Sequence, residues 1–321
     1  MTRCGILLPS FDAVRSGEPP PVVAAARLAE SLGFDAVWVG DHLACPAPGL
    51  DAAGVLSAAA AVTERIELGF SVMLLGLRPT AWAAKQLVTI DSLSGGRLLL
   101  GVGVGGEFPE EFAAAGVPVA ERGARLNESL EVLGDLLNGK PVEHSGRTLQ
   151  LRIGALEPPI SAIPPVYVGG RGEPALGRAA RFGDMWLPMW LEPEVVAERS
   201  ARLAELAEEH GRPRPGVAML VGLNVDDDID QARREAEAHL NGQYRLPLKV
   251  VERWTPVGSV ERVVEYLEAQ LAAGVQELVL MPLGGQPLLQ YERLAEVRDR
   301  LSLTPATGPA PAPATAPGSS A

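Results

Sequence analysis

Short apolar segments alternate with longer amphipathic segments along most of the chain, and the alternation repeats about every 30 residues. Apolar runs this short are typical of buried strands, whereas the longer segments have the spacing of helices with one covered face. A strand followed by a helix, repeated eight times, is the pattern of a parallel sheet that closes into a barrel. The sequence therefore predicts the α/β class and a (β/α)8 TIM barrel, with strands at residues 5–9, 34–39, 66–73, 97–102, 166–168, 184–187, 217–225 and 278–281.

Capping residues mark the ends of several predicted helices. Gly33 follows a helix over residues 22–32, and Asp51 precedes a helix that continues to residue 62. Glycine favours the left-handed conformation that ends a helix, and aspartate accepts N–H groups at a helix start. Another helix begins after residues 226–228, and further helices are predicted at residues 79–93, 119–137, 174–182, 194–210, 258–273 and 287–301.

Two regions depart from the barrel pattern. Residues 140–164 are rich in proline and polar side chains and have no helical period, so we expect an irregular insertion with a short hairpin. Residues 304–321 consist of Pro, Ala, Gly, Thr and Ser, which cannot bury a core, and they predict a disordered tail. The expected barrel domain therefore covers residues 1–303.

The composition limits the classes of partner. The chain has 321 residues, of which 47% are hydrophobic, and its formal net charge of −12 argues against nucleic acid or an anionic membrane as the main partner. It has neither an apolar run long enough for a transmembrane helix nor a secretory leader pattern at its start. Cys4 and Cys45 form no disulfide framework, and no His or Cys cluster has metal-site spacing. We expect a cytoplasmic protein without a metal.

The stretch 94–107 combines a turn, a short strand and a glycine-rich loop. Four of the six residues 101–106 are glycine, and Glu107 follows them. Glycine has no Cβ and tolerates positive φ, so a ligand can lie against its backbone. Because barrels carry their sites at the carboxyl ends of the strands, we expect Gly103 and Gly105 to bind a ligand.

Candidate acids and bases follow the second and fourth strands. Asp41 and His42 come directly after the second strand, and histidine exchanges protons near neutral pH. After the fourth strand, Glu107 is a candidate proton donor to a bound ligand, and Glu110 and Glu111 are alternatives for the same role.

The fifth and sixth strands contribute different chemistry. Gly169, Gly170 and Arg171 follow the fifth strand just before a helix. Backbone N–H groups at a helix start, together with a guanidinium, form a site for an anion such as phosphate. Four large side chains after the sixth strand belong either to the core or to the barrel mouth, where a flat ring can stack: Met185, Trp186, Met189 and Trp190.

Taken together, five segments of the chain resemble the luciferase-like monooxygenase superfamily. Within it the chain is most similar to the oxidoreductases that use coenzyme F420, a deazaflavin, although the FMN-dependent branch shares the scaffold. The matching segments cover most of residues 1–300 and are FDAVWVGDHL (34–43), TERIELGFSVMLLGLRPTAWAAKQLVTIDSLSGGRLLLGVGVGGEF (63–108), GVPVAERGARLNESLEVL (116–133), PPVYVGGRGEPALGRAARFGD (164–184) and GSVERVVEYLEAQLAAGVQELVL (258–280).

The resemblance implies a barrel that holds a flavin-like ring at its strand ends, with a non-prolyl cis peptide between Ser71 and Val72 against that ring. It also implies that the Asp-His pair lines the ring and substrate, and that the Gly-Gly pair forms the cofactor-phosphate loop. Two positions differ from the relatives. Glu107 is offset from their glutamate, and Arg78 stands where they often have His or Asn before a proline.

We therefore expect hydride transfer between coenzyme F420 and a small organic substrate, with His42 and Glu107 in catalysis. One alternative is an FMN-dependent monooxygenase supplied by a separate reductase, and another is a flavin-binding protein without turnover. The oligomeric state stays open, and a homodimer is among the options. The residues expected to bind the cofactor are Asp41, Ser71, Val72, Gly103, Gly105, Gly169, Gly170 and Arg171.

Overall fold

Eight parallel strands close into a barrel in the computed structural model, which describes residues 2–11 and 20–302. Within these ranges the strands are β1 (Arg3–Leu7), β2 (Ala36–Val39), β3 (Glu67–Phe70), β4 (Leu98–Val102), β5 (Val142–Ser145), β6 (Gln150–Ile153), β7 (Val166–Gly169), β8 (Met185–Leu187), β9 (Gly216–Val225), β10 (Val257–Gly258) and β11 (Glu277–Pro282). The strands pair in the order β9-β11-β1-β2-β3-β4-β7-β8, and β8 pairs with β9 to complete the ring. The predicted (β/α)8 barrel is confirmed.

Helices cover the outside of the barrel and follow the predicted order. The cap residues behave as expected: Gly33 has a φ of 85°, and the Asp51 side chain accepts the Gly54 N–H at 2.8 Å. In the described ranges the α-helices are α1 (Val22–Leu32), α2 (Ala52–Ala60), α3 (Thr80–Ser94), α4 (Pro109–Ala114), α5 (Arg122–Leu137), α6 (Glu173–Phe182), α7 (Pro193–Glu209), α8 (Ile229–Tyr244), α9 (Leu248–Val251), α10 (Val260–Ala272) and α11 (Pro287–Ser302).

Strand β3 is shorter than predicted. Its ladder ends at Phe70, and the following peptide between Ser71 and Val72 is cis, as the resemblance implied. Met73 then forms a separate parallel bridge with Val102 at the end of β4. The chain after β3 therefore stays beside β4 at the carboxyl end of the barrel.

Three short elements were not predicted: α4, α9 and β10. Of these, α4 matters most for the site because it begins directly after the glycine-rich loop. Pro109 occupies its first turn. Proline fits that position because the missing N–H would have no partner inside the helix.

The insertion at residues 140–164 contains the expected hairpin. Val142 pairs with Ile153 in the antiparallel ladder of β5 and β6. Glu128 of α5 accepts the backbone N–H groups of Thr148 and Leu149, at 3.0 and 2.7 Å. The hairpin is therefore anchored on α5 through one carboxylate.

Large side chains fill the barrel axis. Trp38 is fully buried and lies edge to face with Tyr167, at 5.0 Å between ring centroids. A Cβ at either Gly5 or Gly69 would overlap the Trp38 indole, so both glycines make room for it. Nearer the amino ends of the strands, the Tyr167 hydroxyl donates to the buried Glu277 carboxylate at 2.9 Å. Room for a ligand is therefore found at the carboxyl ends.

The barrel elements run from Arg3 to Ser302. Among the described residues, no helix combines the length and apolar character needed to cross a membrane. The disordered tail predicted at residues 304–321 lies outside the described residues.

Candidate active site

A cavity of about 220 Å³ opens at the carboxyl ends of the barrel strands. Residues at or after the ends of β1, β2, β3, β4, β7 and β8 line it, together with the end of α8. The convergence of several strand ends on one cavity is the usual arrangement of a barrel active site. All ten residues predicted for the site lie on its wall: Asp41, His42, Ser71, Val72, Gly103, Gly105, Glu107, Gly169, Gly170 and Arg171.

His42 is held against a buried carboxylate. Its Nδ1 lies 3.3 and 3.4 Å from the two oxygens of Glu111, which is fully buried and also accepts the Leu43 N–H at 3.1 Å. Because an ionised carboxylate only accepts hydrogen bonds, we assign the ring hydrogen to Nδ1, which leaves Nε2 to exchange a proton. Phe11 and Phe108 flank the imidazole, with ring centroids 6.0 and 5.0 Å away.

The three candidate glutamates occupy different positions. Glu107 is exposed on the cavity wall, Glu110 is exposed and is not on that wall, and Glu111 is buried behind His42. Glu111 is therefore the carboxylate that pairs with the histidine. Glu107 is the one that can face a ligand.

Asp41 forms a bidentate ion pair with Arg78. The guanidinium donates to both carboxylate oxygens, at 2.5 and 2.8 Å, and Leu74 N–H donates to Oδ2 at 2.8 Å. Burial alone would lower the pKa of Arg78, but the hydrogen bond to Asp41 and its charge raise it. The pair joins the loops after β2 and β3 and neutralises the Asp41 charge beside the cavity.

Val72 occupies the space beside two of the glycines. A Cβ at Gly103 would overlap Val72 Cγ2, and a Cβ at Gly169 would lie 3.0 Å from Val72 Cγ1. Both glycines therefore let the valine side chain enter between the ends of β4 and β7. The sequence interpretation assigned this space at Gly103 to a ligand, whereas in the structure the valine fills it.

Gly170 has no room for a side chain, for a different reason. Its φ is 123°, and a Cβ there would lie 2.8 Å from the Ala175 Cβ at the start of α6. The fully buried Trp186 donates its indole N–H to the Gly170 carbonyl at 2.8 Å. Trp186 thus belongs to the barrel wall rather than to the mouth.

An aromatic group forms one side of the cavity. Trp190 lies edge to face with Tyr244, at 6.1 Å between ring centroids, and the Arg171 guanidinium carbon lies 5.9 Å from the Trp190 centroid. Burial, and to a smaller extent the charge of Glu107, raises the pKa of Tyr244, so its hydroxyl stays protonated. Met189 completes this side.

Two arginines on the helices that follow β4 and β7 were not identified from the sequence. Arg122 Nε is buried without a hydrogen-bond partner among the described residues, 3.1 Å from where a Cβ on Gly106 would stand. Arg178 donates to Asn127 at 2.7 Å but has no carboxylate partner in the described ranges, and burial lowers the pKa of its guanidinium. Both lie in regular helices, and arginine is common on solvated helix faces, so the sequence does not distinguish them from surface arginines.

These features define an α/β barrel with a cavity for a small molecule at its strand ends. The sequence model of the luciferase-like monooxygenase family matches residues 2–254, and the chain belongs to this family of oxidoreductases.

Comparisons with individual proteins agree on the fold. Uncharacterized proteins of Mycobacterium bovis and Mycobacterium tuberculosis are 31% identical over 227 residues, which cover 64% of this chain and 78% of theirs. An F420-dependent secondary alcohol dehydrogenase in complex with an F420-acetone adduct has a TM-score of 0.80 at 21% identity, covering 94% of this chain and 99% of its own. The FMN-bound oxygenating constituent of 3,6-diketocamphane monooxygenase from Pseudomonas putida has a TM-score of 0.74 at 16% identity, covering 94% and 97%.

Proposed function

We propose that the protein transfers a hydride between coenzyme F420 and a small organic substrate. The observation that carries the proposal is the position of His42 on the wall of the strand-end cavity, with its Nδ1 paired to the buried Glu111 behind it. This pair leaves Nε2 as the nitrogen that exchanges a proton with a ligand, as hydride transfer to or from a carbonyl, imine or alcohol requires. The Asp41-His42 and Gly169-Gly170 pattern favours the deazaflavin over FMN, because it is the pattern on which the resemblance to the F420-dependent branch rests.

The cavity fits a flat, largely uncharged ring. Its wall includes the apolar side chains of Val72, Leu187 and Leu220. Ser71 Oγ lies on the same wall, is buried, and has no hydrogen-bond partner among the described residues. A ligand with an apolar face and a polar edge would supply that partner, and buried polar groups in native proteins are nearly always bonded.

The surroundings also fit an anionic tail. Arg171 is exposed at the cavity wall, and Arg122 and Arg178 lie on the helices after β4 and β7. Arg122 has an unsatisfied buried Nε, and Arg178 has no carboxylate partner in the described ranges. Guanidinium groups in this state bind phosphate or carboxylate strongly, because the ion pair forms away from bulk water.

When bound, the deazaflavin supplies the carbon that donates or accepts the hydride. The chain's own residues then have three tasks. Val72 and the aromatic side of the cavity would orient the ring, Arg122 and Arg171 would hold the tail, and His42 Nε2 would exchange the proton of the substrate. Glu107 is the second group that can exchange a proton with a ligand in the cavity.

Cofactor titration tests the proposal. Purified protein is titrated with F420 and with FMN while quenching of cofactor fluorescence is followed, and we expect F420 to bind at least about tenfold more tightly. Arg122→Ala should weaken F420 binding by about tenfold or more, since a charge-assisted hydrogen bond contributes about 1.5–3 kcal/mol. Arg181→Ala is the matched control, because Arg181 is exposed on α6 and bonded to Glu131.

Two outcomes would replace the proposal. Tight FMN binding without any response to F420 would rule out the F420-dependent reaction and favour the FMN-dependent monooxygenase, which needs a separate reductase. Binding of either cofactor without turnover across a panel of alcohols, ketones, imines and enones would favour a flavin-binding protein without catalysis.

A further inference from the structure

A second cavity of about 280 Å³ adjoins the first, between the ends of β1 and β11 and the helices α8 and α11. We call it the apolar chamber. It shares four wall residues with the strand-end cavity: Leu7, Phe11, Gln243 and Met281. Phe11 is held in this shared wall by Gly49, where a Cβ would overlap its ring. A molecule spanning both cavities would pass these side chains.

Among the described residues, the wall of the apolar chamber carries no Asp, Glu, Lys or Arg. Glu235 lies behind Gly285, and its two oxygens are bonded to Asn224 at 3.0 Å and Gln231 at 2.7 Å. The Tyr291 hydroxyl donates to the Leu7 carbonyl at 2.5 Å. Besides the shared side chains, the chamber is lined by residues that include Leu8, Pro9, His239, Pro282, Pro287 and Tyr291.

Gln243 brings one neutral polar group to the shared wall. Its side chain is 5% exposed, and its Nε2 donates to the Tyr244 hydroxyl at 3.1 Å. Its Oε1 accepts no hydrogen bond from the described residues. A ligand hydroxyl can donate to Oε1, and a ligand carbonyl can accept the second hydrogen of Nε2, so this nearly buried amide matches either group.

We propose that the apolar chamber binds the hydrocarbon portion of an uncharged alcohol or ketone substrate, and that Gln243 hydrogen-bonds its oxygen at the border of the strand-end cavity. An ionised substituent is disfavoured because it would lose its hydration and meet no Asp, Glu, Lys or Arg on the described wall. The inference rests on the proposed function, since it names the substrate class of that reaction. It places the oxygen-bearing carbon in the strand-end cavity and the hydrocarbon chain in the apolar chamber.

The test is a binding series measured without cofactor. Isothermal titration at pH 8 compares 2-butanone, 2-hexanone, 2-octanone and 2-decanone with the carboxylates of the same chain lengths. Affinity for the ketones should rise about fourfold per added methylene until the chamber is full, as expected for burial of apolar surface. Each carboxylate should bind at least about tenfold more weakly than the ketone of equal length.

Two variants assign the effect to the chamber. His239→Trp should fill it and weaken binding of 2-decanone at least about tenfold while leaving 2-butanone unchanged. Ala238→Trp is the control, because Ala238 is the exposed neighbour on the same helix. Gln243→Leu should weaken all four ketones about three- to tenfold and keep the increment per methylene, since it removes one neutral hydrogen bond.

Equal affinity at every chain length, or carboxylates that bind as tightly as ketones, would overturn the inference. If circular dichroism shows that His239→Trp does not fold, the ketone series and the Gln243→Leu variant still test the inference. Because no cofactor is present, a failed ketone series leaves the F420 titration standing. A failed F420 titration with a positive ketone series removes the proposed reaction and keeps the chamber as a site for uncharged apolar ligands.

Discussion

The contact with Glu111 determines which nitrogen of His42 can exchange a proton with a ligand. A free imidazole exchanges protons at either nitrogen, whereas one that donates Nδ1–H to a carboxylate presents Nε2 alone. The contact also fixes the plane of the ring between Phe11 and Phe108. We infer that Glu111 is a positioning residue for His42, as the buried aspartate is in hydrolase triads.

His42→Ala should lower turnover of the best panel substrate by about 10²- to 10⁴-fold, the usual contribution of a general acid or base. F420 affinity should change much less, because the histidine contributes to the chemical step rather than to holding the tail. Steady-state kinetics with a parallel fluorescence titration separate the two quantities. Full activity in both His42→Ala and Glu107→Gln would place the chemistry on other residues.

Glu111→Gln should lower kcat by about tenfold and alter the pH profile of kcat, because the amide orients the ring without the carboxylate charge. If Glu111 had a purely structural role, Glu111→Gln would lower the stability of the protein and leave the pH profile of kcat unchanged. The pH profile is therefore the deciding readout. Glu110→Gln is the matched control. Glu110 neighbours Glu111 in the sequence but is exposed and does not line the cavity.

At the scale of elements, the hairpin of β5 and β6 depends on Glu128. Backbone N–H groups hydrogen-bonded to this carboxylate lower its pKa, although burial opposes them. A lowered carboxyl pKa contributes stability above its ordinary value of 4.5, and that stability is lost as the pH falls through the lowered value. The anchor therefore works at neutral pH and weakens in acid.

Glu128→Gln should cost about 1 kcal/mol of stability at pH 7, because charge-assisted hydrogen bonds become neutral ones. The difference from the wild type should shrink as the pH falls below 4.5, the ordinary value for glutamate. Chemical denaturation at pH 7 and pH 3 measures it, and hydrogen exchange locates it in residues 142–153. An equal deficit at both pH values would mean that the charge has no role.

Elements with local signals were predictable, and those that depend on contacts were not. Gly33 and Asp51 mark helix ends through their own backbone chemistry, so their roles followed from the sequence. Helix α4 was missed because a proline after a glycine-rich loop suggests a break, whereas Pro109 starts the helix. Without α4, nothing in the sequence separates Glu111 from its neighbours as the partner of His42.

The same reasoning applies to the cavity wall. All ten predicted residues lie on it because each lies at or after the end of a barrel strand, and strand ends converge whenever a barrel closes. The bonds of Asp41 with Arg78 and the packing of Val72 against Gly103 depend on where two loops meet in space. The spacing of residues along the chain does not indicate which loops will be in contact.

At the scale of the whole molecule, a buried polar cluster lies at the amino end of the barrel. Glu277 is 1% exposed, accepts from Arg3 at 3.3 Å and from the Tyr167 hydroxyl at 2.9 Å, and leaves Oε1 without a partner in the described ranges. Burial raises the pKa of Glu277, and the charge of Arg3 only partly opposes this. Arg3 also pairs with Glu67.

A raised carboxyl pKa contributes stability below the ordinary value of 4.5 that is lost as the pH rises through the raised value. Glu277→Gln cannot ionise, so its stability relative to the wild type should increase from pH 4.5 upward and then level off. Urea denaturation at half-unit pH steps follows the difference. A difference that stays flat across the pH range would contradict the prediction.

The Trp38 side chain, which blocks the barrel axis, has a kinetic consequence. With that route closed, both reactants and both products of a two-substrate reaction must enter and leave by the same face of the barrel. A molecule in the apolar chamber would then hinder exchange of the cofactor beside it, so binding should be ordered and the cofactor should be the first to arrive and the last to leave. Initial-rate measurements with added product would show this order as dead-end complexes that accumulate at high substrate concentration.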